Sequence, residues 1–321
     1  MRCAVVLCTY NGERFLPAQL ESLRAQSRQP DVYVLSDDAS SDGTWGLLQG
    51  FAADRRAAGA EVVLHRNPQN VGYVRHFEAA LQRADAEVLF PCDQDDVWHP
   101  GKIARMLDVF RARPRLLVLH GDARLVDGEG RPIGSDLLAT LDVAPRELVA
   151  MHAGRAFEVL LRRNIVTGAA MALRRELLPL ALPAAEGWSH DEWLAIIASM
   201  HGEVDTMPEP VIDYRQHGGN QIGVRRRQGL ERAGVGVGRS AFIQRAFLRA
   251  EGLAAHVSRD DGLASHRPQV EARLRHARAR ATLPAGWLQR TSVVLGEWLS
   301  GRYARYGNGL RSLAADLLGV D

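Results

Sequence analysis

The chain has 321 residues, 46% of them hydrophobic and 24% charged, and carries a formal net charge of +2. Those proportions are ordinary for a globular protein and exclude wholesale disorder. A single lysine, Lys102, stands among 40 basic residues; the arginines are interspersed with acids rather than gathered in a stripe, so no nucleic-acid partner is expected.

Cys3, Cys8 and Cys92 sit in apolar runs and form no CxxC pair. They read as small buried hydrophobes in a reducing cytoplasm, not as a disulfide framework. The N-terminus enters Cys3–Leu7 without a basic leader, and no apolar run approaches the roughly 18 residues that a membrane span needs. The expectation is a cytoplasmic protein with at most peripheral contact at the inner membrane face.

In chain order, short apolar runs at Cys3–Cys8, Val32–Leu35, Val62–Leu64 and Val88–Phe90 alternate with helical spacing over about 15–25, 44–53 and 74–84. Leu16, Leu20 and Leu23 mark one stripe of the first helix. Apolar strands alternating with amphipathic helices predict an α/β fold with a parallel sheet covered on both faces. Pro100 opens a helix to about 110, and Leu116–Leu119 reads as a strand. Asp127–Gly130 reads as a hairpin turn, Gly168–Leu173 as a strand and Trp193–Met200 as a helix. From about 223 the pattern becomes Ala/Leu/Arg-rich and helical. The expected organisation is a catalytic domain over 1–222 and a helical segment over 223–321, with Gly234, Gly236 and Gly238 in a linker.

In a parallel sheet, ligands bind beyond the carboxyl ends of the strands. Four such ends carry polar clusters here: Thr9–Glu13, Asp37–Gly43, Asn67–Gly72 and Cys92–Asp96. Each alone could be turn chemistry; together they predict a shared cleft. Asp93-Gln94-Asp95-Asp96 places three carboxylates in four residues, a repulsion that Mg²⁺ or Mn²⁺ relieves while also taking phosphate oxygens. Asp95 is the expected metal ligand, and Asp96 reads as either a second ligand or a helix cap. No G-x-x-x-x-G-K-[ST] loop and no G-x-G-x-x-G after the first strand is present, which tells against ATPases and dinucleotide enzymes.

These residues resemble family 2 glycosyltransferases of the GT-A fold. Cys8–Glu13, Ser36–Thr44, Asn70-Val71-Gly72 and Asp93–Trp98 carry the resemblance. Asn164–Leu173, His190-Asp191-Glu192-Trp193 and Asp213–Gly223 are similar to its bacterial rhamnosyltransferase-like branch. The resemblance spans about 3–223 and implies a GT-A sheet, mixed but mainly parallel, flanked by helices. It implies nucleotide-sugar contacts at Thr9, Tyr10, Glu13, Asp38 and Asp93, with Asp38 on the pyrimidine. Arg75 would approach the diphosphate or simply face solvent. His217 would join Asp95 at the metal, contact a phosphate, or be a plain loop histidine. Asp191 would be the general base, the rival reading being a helix cap. Trp98 and His190 would lie on the acceptor side, although large apolar residues such as Trp98 also suit a core.

The implied activity is an inverting transfer of a sugar, dTDP-L-rhamnose being the donor this branch suggests, onto a hydroxyl of a surface-polysaccharide or lipid-linked acceptor. An in-line displacement needs charge stabilisation at the leaving diphosphate and a carboxylate to take the acceptor's proton. A sugar-phosphate nucleotidyltransferase and a non-catalytic nucleotide-sugar-binding protein are the competing classes. In the C-terminal segment Arg273, Arg275, Arg278 and Arg280, followed by Trp287, Trp298, Tyr303 and Tyr306, suit either docking on anionic lipid or a packed helix with a solvated face.

Overall fold

The computed structural model describes residues 1–218 and 238–319. The boundary expected at 222/223, the Arg225-Arg226-Arg227 run, Gly219–Gly223 of the last motif and Gly234 and Gly236 lie outside the described residues.

The chain divides into two compact units: Met1–Ala156, Ile165–Ala184 and Ser189–Arg225 form the first, and Phe157–Asn164, Ala185–Trp188 and Arg226–Asp321 the second. The first unit opens with β1 (Cys3–Thr9), α1 (Leu16–Arg24), β2 (Val32–Asp37), α2 (Thr44–Ala57), β3 (Glu61–Arg66), α3 (Tyr73–Gln82) and β4 (Val88–Cys92). It continues with β5 (Val97–Trp98), α4 (Lys102–Ala112), β6 (Leu116–Val126), β7 (Pro132–Asp136), α5 (Leu137–Thr140) and α6 (Pro145–His152). After α7 (Ala156–Arg162), which belongs to the second unit beyond its first residue, come a 3-10 turn at Gly168–Ala170, β8 (Met171–Arg174), α8 (Leu178–Ala181), α9 (His190–His201) and β9 (Glu203–Arg215).

The strands form one nine-stranded sheet in the order β3-β2-β1-β4-β8-β6-β9-β5, with β7 on β6. β3, β2, β1 and β4 run parallel, as near-continuous apolar strands demand when helices cover both faces. β8 then enters antiparallel between β4 and β6, while β6 and β9 pair in parallel along most of their length. This is the expected mixed, mainly parallel α/β sheet. β1 is buried at all seven residues and anchors a core shared with Leu16, Leu20 and Leu23. All three cysteines are buried and unpaired.

Register decides where the site falls. Thr9 lies beside Asp37, Asp37 beside Arg66, and Leu7 beside Cys92. The four polar clusters therefore leave the sheet along one edge. On the far side β5 pairs Val97 with Asp213, which brings the chain after Tyr214 back over Asp95 and Asp96.

The expected strand at Gly168–Leu173 begins three residues late. Gly168, Ala169 and Ala170 form the 3-10 turn, because the amide of Gly168 is engaged by a side chain instead of a neighbouring strand.

The second unit carries α10 (Arg239–Arg259), α11 (Arg267–Ala281), α12 (Trp287–Leu299), α13 (Arg302–Tyr306) and α14 (Leu310–Leu318). Of the aromatic residues expected at an interface, Tyr303 and Tyr306 are buried. Arg280 pairs with Asp316, while Arg275 and Arg278 pair with Glu271 and Glu251 on the surface. The packed-helix reading fits α11. The exposed apolar face is on α12 instead, where Trp287, Leu288, Leu295, Trp298 and Leu299 are all exposed. Among the described residues no helix is long and apolar enough to cross a membrane.

Candidate functional site

The loop after β1 is bound to its neighbours through its backbone. Thr9 is buried and donates its hydroxyl to Asp37 Oδ1 at 3.0 Å. Tyr10 exchanges two hydrogen bonds with Gln94: its N–H donates at 2.8 Å and its carbonyl accepts from Nε2 at 2.9 Å. Gly12 passes so close to Gln94 that a Cβ there would collide with the amide. Glu13 accepts from the amide of Gly43 at 2.9 Å, which ties this loop to the one after β2. Asn11 and Ala39 hold φ of 46° and 63°. Side chains rarely adopt that region, and such strain clusters where loops are shaped for a ligand.

Asp38 holds the neighbouring loop. It is 1% exposed, and its carboxylate accepts from Asn67 Nδ2 at 2.7 Å and from the amides of Val71 and Gly72 at 3.0 to 3.2 Å. It latches the loop before α3. Arg75, in the first turn of α3, is exposed and makes no ion pair among the described residues.

The acidic cluster is the electrostatic centre. Burial, then the charges of Asp95 and Asp191, push the Asp93 carboxyl up to about 7. Asp96 is raised well above the usual carboxylate range by burial and by Asp95 and Asp93. It neither caps α4, whose N-cap is Gly101, nor faces outward. Its Oδ1 accepts from the amide of Arg215 at 3.0 Å, while Oδ2 is buried and finds no partner among the described residues. Burial also raises Tyr214, with the charges of Asp96, Asp93, Asp95 and Asp191 adding to it.

Asp95 Oδ2 stands 2.8 Å from His217 Nε2, and the His217 ring stacks on Phe15 with centroids 4.3 Å apart. Arg215 donates from Nε to the carbonyl of Asp95 at 2.8 Å and from Nη1 to that of Gly128 at 3.0 Å. Among the described residues no group of three or more His, Cys, Asp or Glu side chains is gathered for a metal. A carboxylate and an imidazole facing each other still fit Mg²⁺ or Mn²⁺, since such ions take one or two protein ligands beside substrate phosphates and water.

Asp191 sits at the second residue of α9, whose N-cap is Ser189, so it is not the cap. Its Oδ2 accepts from the Gly168 amide at 2.8 Å and its Oδ1 from the Glu192 amide at 2.9 Å. The two bonds leave each oxygen a lone pair for a further proton donor. His190 and Trp98 depart from the expected acceptor side. His190 is 5% exposed and stacked on Phe77 at 4.1 Å, and burial lowers its pKa. Trp98 is 2% exposed and packs near Phe90 in the core.

Gln94, Phe15, Arg215 and Gly168 take part without having been assigned roles from sequence. Gln94 lies in the acidic motif, and its place between two strand-end carboxylates was the available signal. The others act through contacts distant in sequence.

The model for "Glycosyl transferase family 2" matches residues 4–179. The chain is 26% identical over 230 residues to an uncharacterized glycosyltransferase of Nostoc sp., covering 68% of this chain and 66% of that protein. It is 34% identical over 110 residues to the undecaprenyl-phosphate 4-deoxy-4-formamido-L-arabinose transferase of Pectobacterium carotovorum, covering 33% and 32%. The chain thus spans less than two-thirds of the length of these curated relatives. In fold it resembles S. aureus TarS 1-349, with a TM-score of 0.59 at 15% identity over 98% of this chain and 87% of that one. The same protein solved with UDP-GlcNAc gives 0.56 at 16% identity over 100% and 93%. This is the GT-A arrangement of sheet and helices. With more than half of its length matched by the family model, the chain belongs to glycosyl transferase family 2.

Proposed function

We propose that the chain is an inverting glycosyltransferase of the hexosyltransferase class, which moves a sugar from a nucleotide diphosphate onto an acceptor hydroxyl. The observation that carries this reading is the pair of acidic sites: Asp95 facing His217 at 2.8 Å in the strand-end cluster, and Asp191 held by the amides of Gly168 and Glu192. A donor-side acidic cluster and a separate, backbone-fixed carboxylate are the two parts that a single displacement needs.

The acceptor oxygen forms its bond to the anomeric carbon as the bond from that carbon to the diphosphate oxygen breaks. The departing diphosphate keeps the electron pair, and the acceptor proton passes to Asp191. The hydroxyl turns strongly acidic only as its oxygen bonds to carbon, so an ordinary carboxylate suffices. Asp95 and His217 would hold a divalent cation, whose chemistry is to neutralise the leaving diphosphate. Thr9, Tyr10 and Glu13 form the loop that would border the nucleotide. Asp38 acts there by holding Val71 and Gly72, and Asp93 would face the ribose or the sugar. We take dTDP-L-rhamnose as the donor and a surface-polysaccharide or lipid-linked glycan as the acceptor, on branch resemblance. The exposed face of α12 would serve peripheral contact with the membrane that carries such an acceptor.

The test is thermal denaturation with dTDP-L-rhamnose, UDP-GlcNAc and GDP-mannose, each with and without Mn²⁺, followed by assay of the active donor. A native-state ligand raises Tm by mass action. The expected result is a Mn²⁺-dependent rise with dTDP-L-rhamnose that Asp95→Ala abolishes, a product of inverted anomeric configuration by NMR, and a kcat loss of at least about 10²-fold in Asp191→Asn. A rise with another donor alone discards rhamnose. Retained configuration discards the mechanism, and pyrophosphate release from a nucleoside triphosphate and sugar phosphate makes the protein a nucleotidyltransferase.

A further inference from the structure

Lys102 is the one lysine in a chain whose other permanently charged basic side chains are all arginine, and it occupies a place that disfavours a cation three times over. It is fully buried. It is the first residue of α4, the helix end where positive charge is unfavourable. Among the described residues no carboxylate lies within ion-pairing distance of its ammonium. A buried charge kept under those conditions needs a reason beyond stability, because apolar replacement of such groups is often neutral or favourable.

Its contacts supply one. Nζ donates to the carbonyl of Ala169 at 2.5 Å and lies 3.7 Å above the centroid of the Trp98 ring. Ala169 is the middle residue of the Gly168–Ala170 turn, and the amide one residue earlier, on Gly168, is the one that donates to Asp191 Oδ2 at 2.8 Å. The space at Gly168 is tight: a Cβ there would stand 3.1 Å from His190 Nε2 and 3.4 Å from Asp191 Cβ. A small rotation of the turn would therefore be felt at the carboxylate.

We propose that Lys102 is a positioning residue for the transfer reaction: it clamps the Gly168–Ala170 turn through Ala169 so that the Gly168 amide fixes the orientation of the Asp191 carboxylate. The proposal rests on the reading of Asp191 as the base. It also accounts for lysine at this one position. The clamp offers one carbonyl and one aromatic face, which a compact ammonium on a slender stem can use. A guanidinium would bring five N–H donors into the same closed space. Burial pushes the Lys102 ammonium down to about 7, with Cys92 and then Asp96 and Asp93 opposing that shift. The residue that aims the base is thus under the electrostatic influence of the donor-side acids.

The experiment is a double-mutant cycle of Lys102→Met and Asp191→Asn, read as kcat, donor KM and Tm, with Lys102→Arg alongside. The expected result is a kcat loss of about 10- to 100-fold in K102M, the scale of a misplaced catalytic group. Donor KM should stay within about twofold and Tm should be unchanged or higher. The double variant should be no slower than D191N alone, and K102R should not restore turnover. Wild-type kcat in K102M, losses that multiply in the double variant, or a loss confined to KM would each overturn the clamp. D191N at wild-type kcat would instead remove the base reading, and the link is then judged without activity. A sole lysine labelled with ¹³C at Cε gives one NMR signal, and that signal should move in D191N. An unmoved signal overturns the link. That comparison needs only wild type and D191N, so it holds even if K102M does not fold.

Discussion

His120 lies on β6 fully buried, with neither ring nitrogen hydrogen-bonded among the described residues. Burial pushes its pKa down to about 3 from an ordinary 6.5, the Asp191 charge opposing that shift. Its contribution to pH-dependent stability follows from proton uptake. Below about 6.5 the unfolded chain takes up a proton that the folded chain refuses until about 3. The stability present above 6.5 is therefore lost progressively as pH falls through that window. His120→Leu removes both the titration and an unsatisfied buried polar group. The variant should lose less Tm than wild type between pH 7 and pH 4.5; equal losses in the two proteins would show that this imidazole does not govern acid sensitivity. At this scale the acids were legible because three carboxylates in four residues conflict unless a ligand relieves them. Lys102 was visible only as an oddity of composition, since its acceptor lies 67 residues away. Trp98 and His190 were misplaced because proximity to a motif in sequence does not say which face of the backbone a side chain takes.

The loop of residues 67–72 illustrates the same limit for an element. Its Asn, Pro and Gly residues announced a turn, but what holds it is Asp38, some thirty positions earlier, through two amides and the Asn67 side chain. Asp38→Ala strips those donors of their acceptor and should destabilise the protein by about 2 kcal/mol. It should also speed hydrogen exchange at the Val71 and Gly72 amides, the measurement that tells a latch from a ligand contact. Unchanged exchange there, with donor affinity lost, would return Asp38 to the nucleotide. The parallel strands were readable because each is a short apolar run between helices of clear period. β9 was not, because Pro208 and Pro210 interrupt its pattern and proline argues against an interior strand. The structure tolerates them where the β6–β9 register slips between Gly121 and Asp122, pairing Met207 and then Pro210 with successive residues. That strand carries Tyr214 and Arg215 to the acidic cluster, so the missed element is one that completes the site.

For the whole molecule, the exposed face of α12 is where the two uses read for the C-terminal segment can be told apart. Its carboxylate, Glu297, is buried against His276 and Arg302, so the outward face presents Trp287, Leu288, Leu295, Trp298 and Leu299 without negative charge. Tryptophan and leucine on one helical face suit insertion at the headgroup boundary. Trp287→Glu with Leu288→Glu should abolish co-sedimentation with vesicles containing anionic lipid while leaving turnover on a water-soluble acceptor intact. Retained sedimentation would assign that face to something else. Composition foretold the helices of this segment and its aromatic residues. It did not foretell which aromatics would be spent inside, because Tyr303 is claimed by Asp316, which also binds Arg239 and Arg280.

The threading of the chain between its two units bears on heredity. Phe157 of α7 meets His266, and Trp188 gives its indole N–H to the Arg249 carbonyl at 3.0 Å beneath the Arg249 guanidinium. Both aromatics are encoded amid the sequence of the sheet yet belong to the helical unit. No single crossover in the gene can hand on either unit whole. A transplant of the C-terminal stretch alone onto another sheet would leave Phe157 and Trp188 behind, and with them the partners of His266 and Arg249.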